Sequence, residues 1–315
     1  MKKIGLLLVP MALALSACQN GEKEAGQLFQ RAEAAYAAGE YSLAKLQIDS
    51  IRTLYPKAFE VRKAGIKLMQ QIDLAEQTKT LAYLDSMMTV KQAALDSIKG
   101  KFVLEKDTAY QEVGNYFYPT QVVEKKIGRS FLRAQVSELG EMSLTSIYCA
   151  GGSIHHTAVK VSVDDTFAET PTSIDSYETT DLGRPVEKAD YKLGNDGGVI
   201  AFLVANRDKK NIRLEFIGDR NYKTVMHPND VKAVAELSEL ARVLSAIEEI
   251  KKEQKEANLK IKFVKRKMEE NTEHNKTEKQ MPIREPDLLI VMTGGSMAYT
   301  RQDGVKVIPL ACLKD

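Results

Sequence analysis

Apolar residues recur at helical spacing over the first third of the chain. Leu28, Ala32, Ala35 and Tyr36 share one face, Gly39-Glu40 interrupts the run, and Tyr41, Ala44, Ile48, Ile51 and Leu54 form a second stripe that Pro56 stops. This predicts a helical hairpin over 27–56, after a polar stretch at 18–26. From Ala58 to Ile98 there is no proline, and no glycine after Gly65. One helix over 57–100 would be about 60 Å long. Leu81, Leu84, Met88, Leu95 and Ile98 keep 3–4 spacing, broken at Lys91, which is a coiled-coil-like seam.

The period then changes from 3.6 to 2. Leu132, Ala134 and Val136 alternate with Arg133 and Gln135. Val159, Val161 and Val163 alternate with polar or small residues, and so do Ile212, Leu214 and Phe216. Val199 to Val204 is apolar on both parities and reads as a central buried strand. Turn signals at Gly140-Glu141, Gly151-Gly152, Asn195 to Gly198 and Gly218-Asp219 separate the runs. About eight strands over 101–226 suggest a β-sandwich. Residues 164–190, rich in Thr, Ser, Asp, Glu and Pro, read as a long exposed loop.

His227-Pro228-Asn229-Asp230 marks a second long helix, 227–270, with Asn229 or Asp230 as its N-cap. Leu237, Leu240, Leu244 and Ile247 form its seam. Two long helices flanking a β insert would pair antiparallel and satisfy both apolar stripes at once; two separate solvated helices are the other reading. Residues 271–315 read as a polar, disordered linker to Gln280 and then a hairpin built from Leu288–Met292 and Gly304–Ile308. Whether that tail joins an open sheet edge or is foreign to the fold is left open by the pattern. The fold class is therefore α+β.

Composition narrows the function classes. The chain has 315 residues, 28% of them charged, with a net charge of +2, so no basic field points to nucleic acid. Tryptophan is absent, which counts against an indole platform for sugars. The cysteines are Cys18, Cys149 and Cys312, too far apart in sequence for a Cys-x-x-Cys metal site. A secreted compartment would permit a Cys149–Cys312 disulfide.

Candidate chemistry is sparse. His155-His156 lie next to each other in an extended run, so they face opposite ways and cannot chelate one ion. His155 shares the parity of Val159 and Val161 and is expected to be a satisfied strand-end histidine. Cys149 with His155 lacks a third group or an oxyanion motif. The glycine turns Gly151-Gly152-Ser153 and Gly294-Gly295-Ser296 lack the Gly-Lys-Ser/Thr of a phosphate cradle. No catalytic residue, metal site or cofactor is expected. Tyr110, Tyr116, Phe117 and Tyr118 are the one aromatic cluster that could face a ligand, with core packing as the alternative.

At the N-terminus, Lys2-Lys3 precede an apolar run, Ile4 to Ala17, too short to span a bilayer, and Leu15-Ser16-Ala17-Cys18 closes it. This resembles the signal peptide and lipobox of bacterial lipoproteins. The resemblance implies cleavage of 1–17 and diacylglycerol on Cys18. Gln19 after it, rather than Asp, implies the outer membrane. Glu22-Lys23-Glu24 is similar to the acidic export signals of Bacteroidetes lipoproteins. The hairpin residues Leu28, Ala32, Tyr36, Gly39, Tyr41, Ala44 and Pro56 resemble a tetratricopeptide repeat, departing from it at Ile48 and Ile51 and not recurring in the next 34 residues. With Tyr55-Pro56, the N-terminal part is similar to outer-membrane-assembly lipoproteins built of such repeats. Together these imply a cell-envelope protein, tethered through Cys18 and binding partner proteins through its helices and β domain. A glycan- or peptide-binding module is the alternative, and an envelope hydrolase is third.

Overall fold

The computed structural model describes residues 12–122, 128–181, 184–280, 290–293, 298–300 and 305–309. Three helices come first: α1 (Ala12–Ala37), α2 (Tyr41–Leu54) and α3 (Phe59–Lys99). Eight strands follow: β1 (Val103–Glu105), β2 (Asn115–Phe117), β3 (Phe131–Ser137), β4 (Met142–Tyr148), β5 (Ala158–Val163), β6 (Thr166–Glu169), β7 (Ser176–Asp181) and β8 (Arg184–Lys192). Then come α4 (Val199–Ala205), β9 (Arg213–Ile217), β10 (Tyr222–Val225), α5 (Pro228–Gln280) and three tail strands, β11 (Ile290–Thr293), β12 (Tyr299–Thr300) and β13 (Lys306–Pro309). The fold is α+β, and the chain divides into two compact units, 1–74 with 262–315 and 75–261.

In the first unit, α1 and α2 turn back on one another at Gly39, whose φ of +76° suits glycine. Ala32, Ala35, Ala44, Ile48, Leu68 and Ile72 form one buried cluster, so the start of α3 packs on the hairpin. Gly65 makes room there: a side chain on it would meet Ile48. Asn271 Nδ2 lies 3.4 Å from Gln70 Oε1, joining α5 to α3 within this unit.

The second unit holds two antiparallel sheets, in the orders β1-β2-β3-β4-β8-β7 and β10-β9-β5-β6. Leu132 and Leu144 from the first sheet, Val159 and Phe216 from the second, and Leu203, Leu237 and Leu240 from α4 and α5 share one core. The strands with strict alternation behave as their pattern predicts: Ile212, Leu214 and Phe216 are all buried. Within this unit α5 runs antiparallel to the end of α3. Gln254 Nε2 donates to Asp85 Oδ1 at 2.7 Å, and Lys101 Nζ meets Glu236 at 2.9 Å. Gly140, in the β3–β4 turn at φ +84°, lies against the backbone of Ser245 in α5, whose hydroxyl donates to the Gly140 carbonyl at 2.9 Å.

Several expectations are corrected. Val199–Val204 is not a strand but part of α4. Its buried residues, Val199, Ile200 and Leu203, have helical spacing, and Asp196 accepts the Ile200 N–H at 2.8 Å at the helix start. A short run apolar on both parities suits a buried helix as well as a buried strand. Residues 164–190 are not a loop but supply β6, β7 and part of β8. The cap of α5 is His227, whose Nδ1 accepts the Asn229 N–H at 3.2 Å, with Pro228 as the first helical residue. Asp230 is occupied elsewhere: Arg129 grips it at 2.6 and 2.9 Å, and Gln121 Nε2 donates to it at 2.9 Å. Residues 271–280 are helical, not disordered. In the tail, β11 and β13 pair in parallel with β12 antiparallel to β13, so the two apolar runs do not form the expected hairpin; parallel partners need a crossover between them.

Candidate functional site

The densest polar arrangement among the described side chains joins β4, β8 and the segment leading into β5. Glu187 points inward from β8 and is 4% exposed. Its carboxylate accepts three successive backbone N–H groups, from Ile154 at 2.5 Å, His155 at 2.9 Å and His156 at 2.9 Å, and the His156 ring Nδ1 at 2.9 Å. The run of N–H groups converges because His155 takes a left-handed conformation, φ +50°. Gly218 lies under it, and a side chain there would strike the Ile154 carbonyl and the His156 backbone.

The left-handed residue also reverses the expected parity. His155 is exposed and pairs with Asp219 at 2.8 Å, while His156 is the buried one, at 2%. His156 stands among rings, 5.1 Å from Phe216 and 6.2 Å from Tyr148 between centroids. On its far side Nε2 lies 2.7 Å from Ser146 Oγ. Since the carboxylate can only accept, Nδ1 carries the proton, Nε2 accepts, and the Ser146 hydroxyl donates.

The electrostatics suit a neutral imidazole beside a carboxylate. Burial pushes His156 below the ordinary histidine range, and its bond to Glu187 only partly opposes this. Burial alone would raise Glu187, but the bonds from the His156 backbone and ring and from the His155 and Ile154 N–H groups prevail and hold it low. Burial raises Tyr191, whose hydroxyl donates to the Thr157 carbonyl at 3.1 Å.

The connectivity serine–histidine–carboxylate is that of an acyl-transfer triad. Reach decides its role. Ser146 is 0% exposed, on a strand laddered to β3 and β8 on both sides, so its neighbouring N–H groups are not free to form an oxyanion hole. A cavity of about 170 Å³ opens beside the group, lined by His155, His156, Tyr177, Glu178, Glu187 and Lys188 among others, but not by Ser146. The arrangement is a clamp that ties the first sheet to the lead-in of the second. The pattern missed it because Glu187 reads as a polar loop residue, although its i+2 and i+4 neighbours, Ala189 and Tyr191, are strand-like.

The aromatic residues singled out by sequence are not brought together. Tyr110 is 90% exposed on the β1–β2 connection. Tyr116 and Phe117 are buried on opposite faces of β2, Tyr116 in the main core and Phe117 under Arg133, whose Cζ lies 5.7 Å from the Phe117 ring centroid. Tyr118 packs edge-on against Phe102. Cys149 lies with Phe131, Ile147 and Val186, with no hydrogen bond to His155. Cys312 and the side chain of Cys18 lie outside the described residues. Among the described residues no three His, Cys, Asp or Glu side chains are arranged to hold a metal ion, and no helix is long and apolar enough to cross a membrane. Comparison with family models, curated proteins and solved structures gives no match.

Proposed function

We propose that this chain is a lipid-anchored protein of the bacterial cell envelope, tethered through Cys18 to the outer membrane. It works without catalysis, as a scaffold or adaptor that binds a partner protein. The observation that carries the binding role is the edge strand β7. Residues Ser176 to Thr180 are exposed on both faces, and no described strand pairs with the outer edge. Such an edge can accept an extended segment of another chain through its backbone groups. The withdrawal of Ser146 from the cavity next to His156 supports a non-enzymatic reading.

The α1–α2 hairpin is read as tetratricopeptide-like. Its support is Ala32 and Ala44 at 0% exposure where the helices meet, and the tilted Tyr36 and Tyr41 rings 6.0 Å apart across the turn. The two antiparallel sheets are read as a sandwich on the strength of their common core.

A photo-crosslinker at Thr179 tests the binding role in intact cells. A discrete crosslinked partner, lost when Glu178→Pro is combined with the crosslinker at Tyr177, is the expected result. A lysate-wide smear, or none, overturns it. Fatty-acid mass on the N-terminal peptide, lost in Cys18→Ser, tests the anchor. The cavity beside Tyr177 and Lys188 favours a second reading, a small polar or glycan ligand, which binding to a glycan array would support.

A further inference from the structure

The connection between α2 and α3 is an elbow packed on α1 between Gly21 and Leu28. Tyr55 Oη donates to Glu24 at 2.9 Å, Arg62 Nη1 donates to the Pro56 carbonyl at 2.6 Å, and the Ala58 N–H donates to the Tyr55 carbonyl at 3.1 Å. Beneath it Ala25, Ile51 and Ala58 are buried with Leu28, Tyr55 and Val61 around them. The elbow's outer side is different. Leu54 is 64% exposed and Phe59 69%, with Pro56 also exposed between them. A groove of about 420 Å³ runs along it, lined by Gly21, Glu22 and residues 54–58.

The position of this apolar tip matters. The α1 backbone is helical through Cys18, so Cys18 precedes Gly21, a groove residue, by three positions. That is about 4.5 Å along the helix axis. Acyl chains on Cys18 would enter the bilayer beside the groove that Gly21 and Leu54 line. Arg52, paired with Asp49 at 3.4 Å, and Lys57 rim the tip, together with the acidic Glu22 and Glu60. Apolar side chains with long cations around them are the composition that settles at a lipid headgroup boundary.

We propose that the α2–α3 elbow is a second membrane contact, inserting Leu54 and Phe59 into the lipid surface beside the tether. It rests on the reading of Cys18 as the lipid-bearing residue. One acyl anchor alone leaves a protein free to swivel; a seated elbow fixes the orientation of the helical hairpin against the bilayer.

The chain has no tryptophan, so one introduced indole reports alone. The full chain carrying Phe59→Trp is reconstituted in phosphatidylethanolamine–phosphatidylglycerol vesicles containing brominated acyl chains. The Phe59→Trp indole is expected to be quenched and blue-shifted. A Leu43→Trp indole, about 16 Å away along α2 from Leu54, is expected to be neither. Adding Leu54→Ser to the unacylated Cys18→Ser chain should lower its vesicle partition about tenfold. Quenching at neither position, or equally at both, overturns the proposal, and so does a partition unchanged by Leu54→Ser. Mass spectrometry of the same preparations separates the two readings. An acylated chain with an unquenched Phe59→Trp indole sinks the elbow and keeps the anchor. An unacylated wild-type chain whose Phe59→Trp form is still quenched does the reverse.

Discussion

Glu187 Oε2 lies 2.9 Å from both the ring Nδ1 and the backbone nitrogen of His156, so one carboxylate oxygen fixes the position and the tautomer of the histidine together. Removing that carboxylate leaves three backbone N–H groups and a ring N–H buried without an acceptor. Glu187→Ala is expected to cost about 3–5 kcal/mol of unfolding free energy, and Glu187→Gln about 1–3 kcal/mol, because the amide oxygen can still accept. Urea denaturation measures both, and near-neutrality of Glu187→Ala would refute the clamp.

Acid should loosen this clamp in two stages. Burial holds His156 below the ordinary histidine range, so the unfolded chain takes up a proton near pH ~6.5 that the native chain refuses. Stability from this residue is complete above about pH 6.5 and falls as pH drops toward its native pKa. Glu187 is held low as well, the donated hydrogen bonds outweighing its burial. Its contribution is complete above the unfolded value of about 4.3 and is lost as pH falls through the native one. His155 has the opposite sign: its bond to Asp219 raises it, so that interaction is present below about pH 6.5 and fades as pH rises through the raised value. His156→Gln should flatten the urea midpoint between about pH 7.5 and 5.5, and His155→Gln should steepen it.

Ser146→Ala separates a clamp from a catalyst. It removes one buried hydroxyl and is expected to cost about 1 kcal/mol. Partner capture at Thr179 should be unchanged, since the serine does not reach the cavity. Loss of a cellular phenotype by this folded variant would argue for chemistry at Ser146.

Asp230 is 1% exposed and depends on Gln121 and Arg129 for its neutralisation. Asp230→Ala is expected to lose about 3 kcal/mol. Arg129→Lys should also destabilise, though less, because an ammonium cannot make the two-point contact. Calorimetric unfolding of the two variants gives the order.

Gly140→Ala should destabilise by more than about 2 kcal/mol, since the added carbon strikes the Ser245 backbone and the residue keeps φ at +84°. Gly151→Ala, at a positive φ but with open space around it, is the control and should cost less.

The period of the apolar residues carried the architecture where one face of an element is buried. β3, β5, β9 and the long helices were legible for that reason. Two kinds of position were not. Val199 to Val204 has no polar face, so no period could distinguish helix from strand; the distinguishing group, Asp196, lies outside the run. Glu187 and His156 satisfy one another inside the core, so polarity, which ordinarily signals exposure, pointed the wrong way. Their meeting joins positions 31 residues apart through a left-handed His155, a conformation no spacing rule signals.

The contacts of α5 set the order in which the β unit can be completed. Its partners lie far back along the chain: Arg129 is 101 positions before Asp230, Lys101 is 135 before Glu236, and Asp85 is 169 before Gln254. A polypeptide that emerges N-terminus first therefore presents its strands with Arg129 lacking its carboxylate and the apolar floor uncovered until the segment after Pro228 arrives. Its final cooperative step waits on late synthesis. A fragment stopped before Val231 leaves that floor uncovered and is expected to be a substrate for proteolysis.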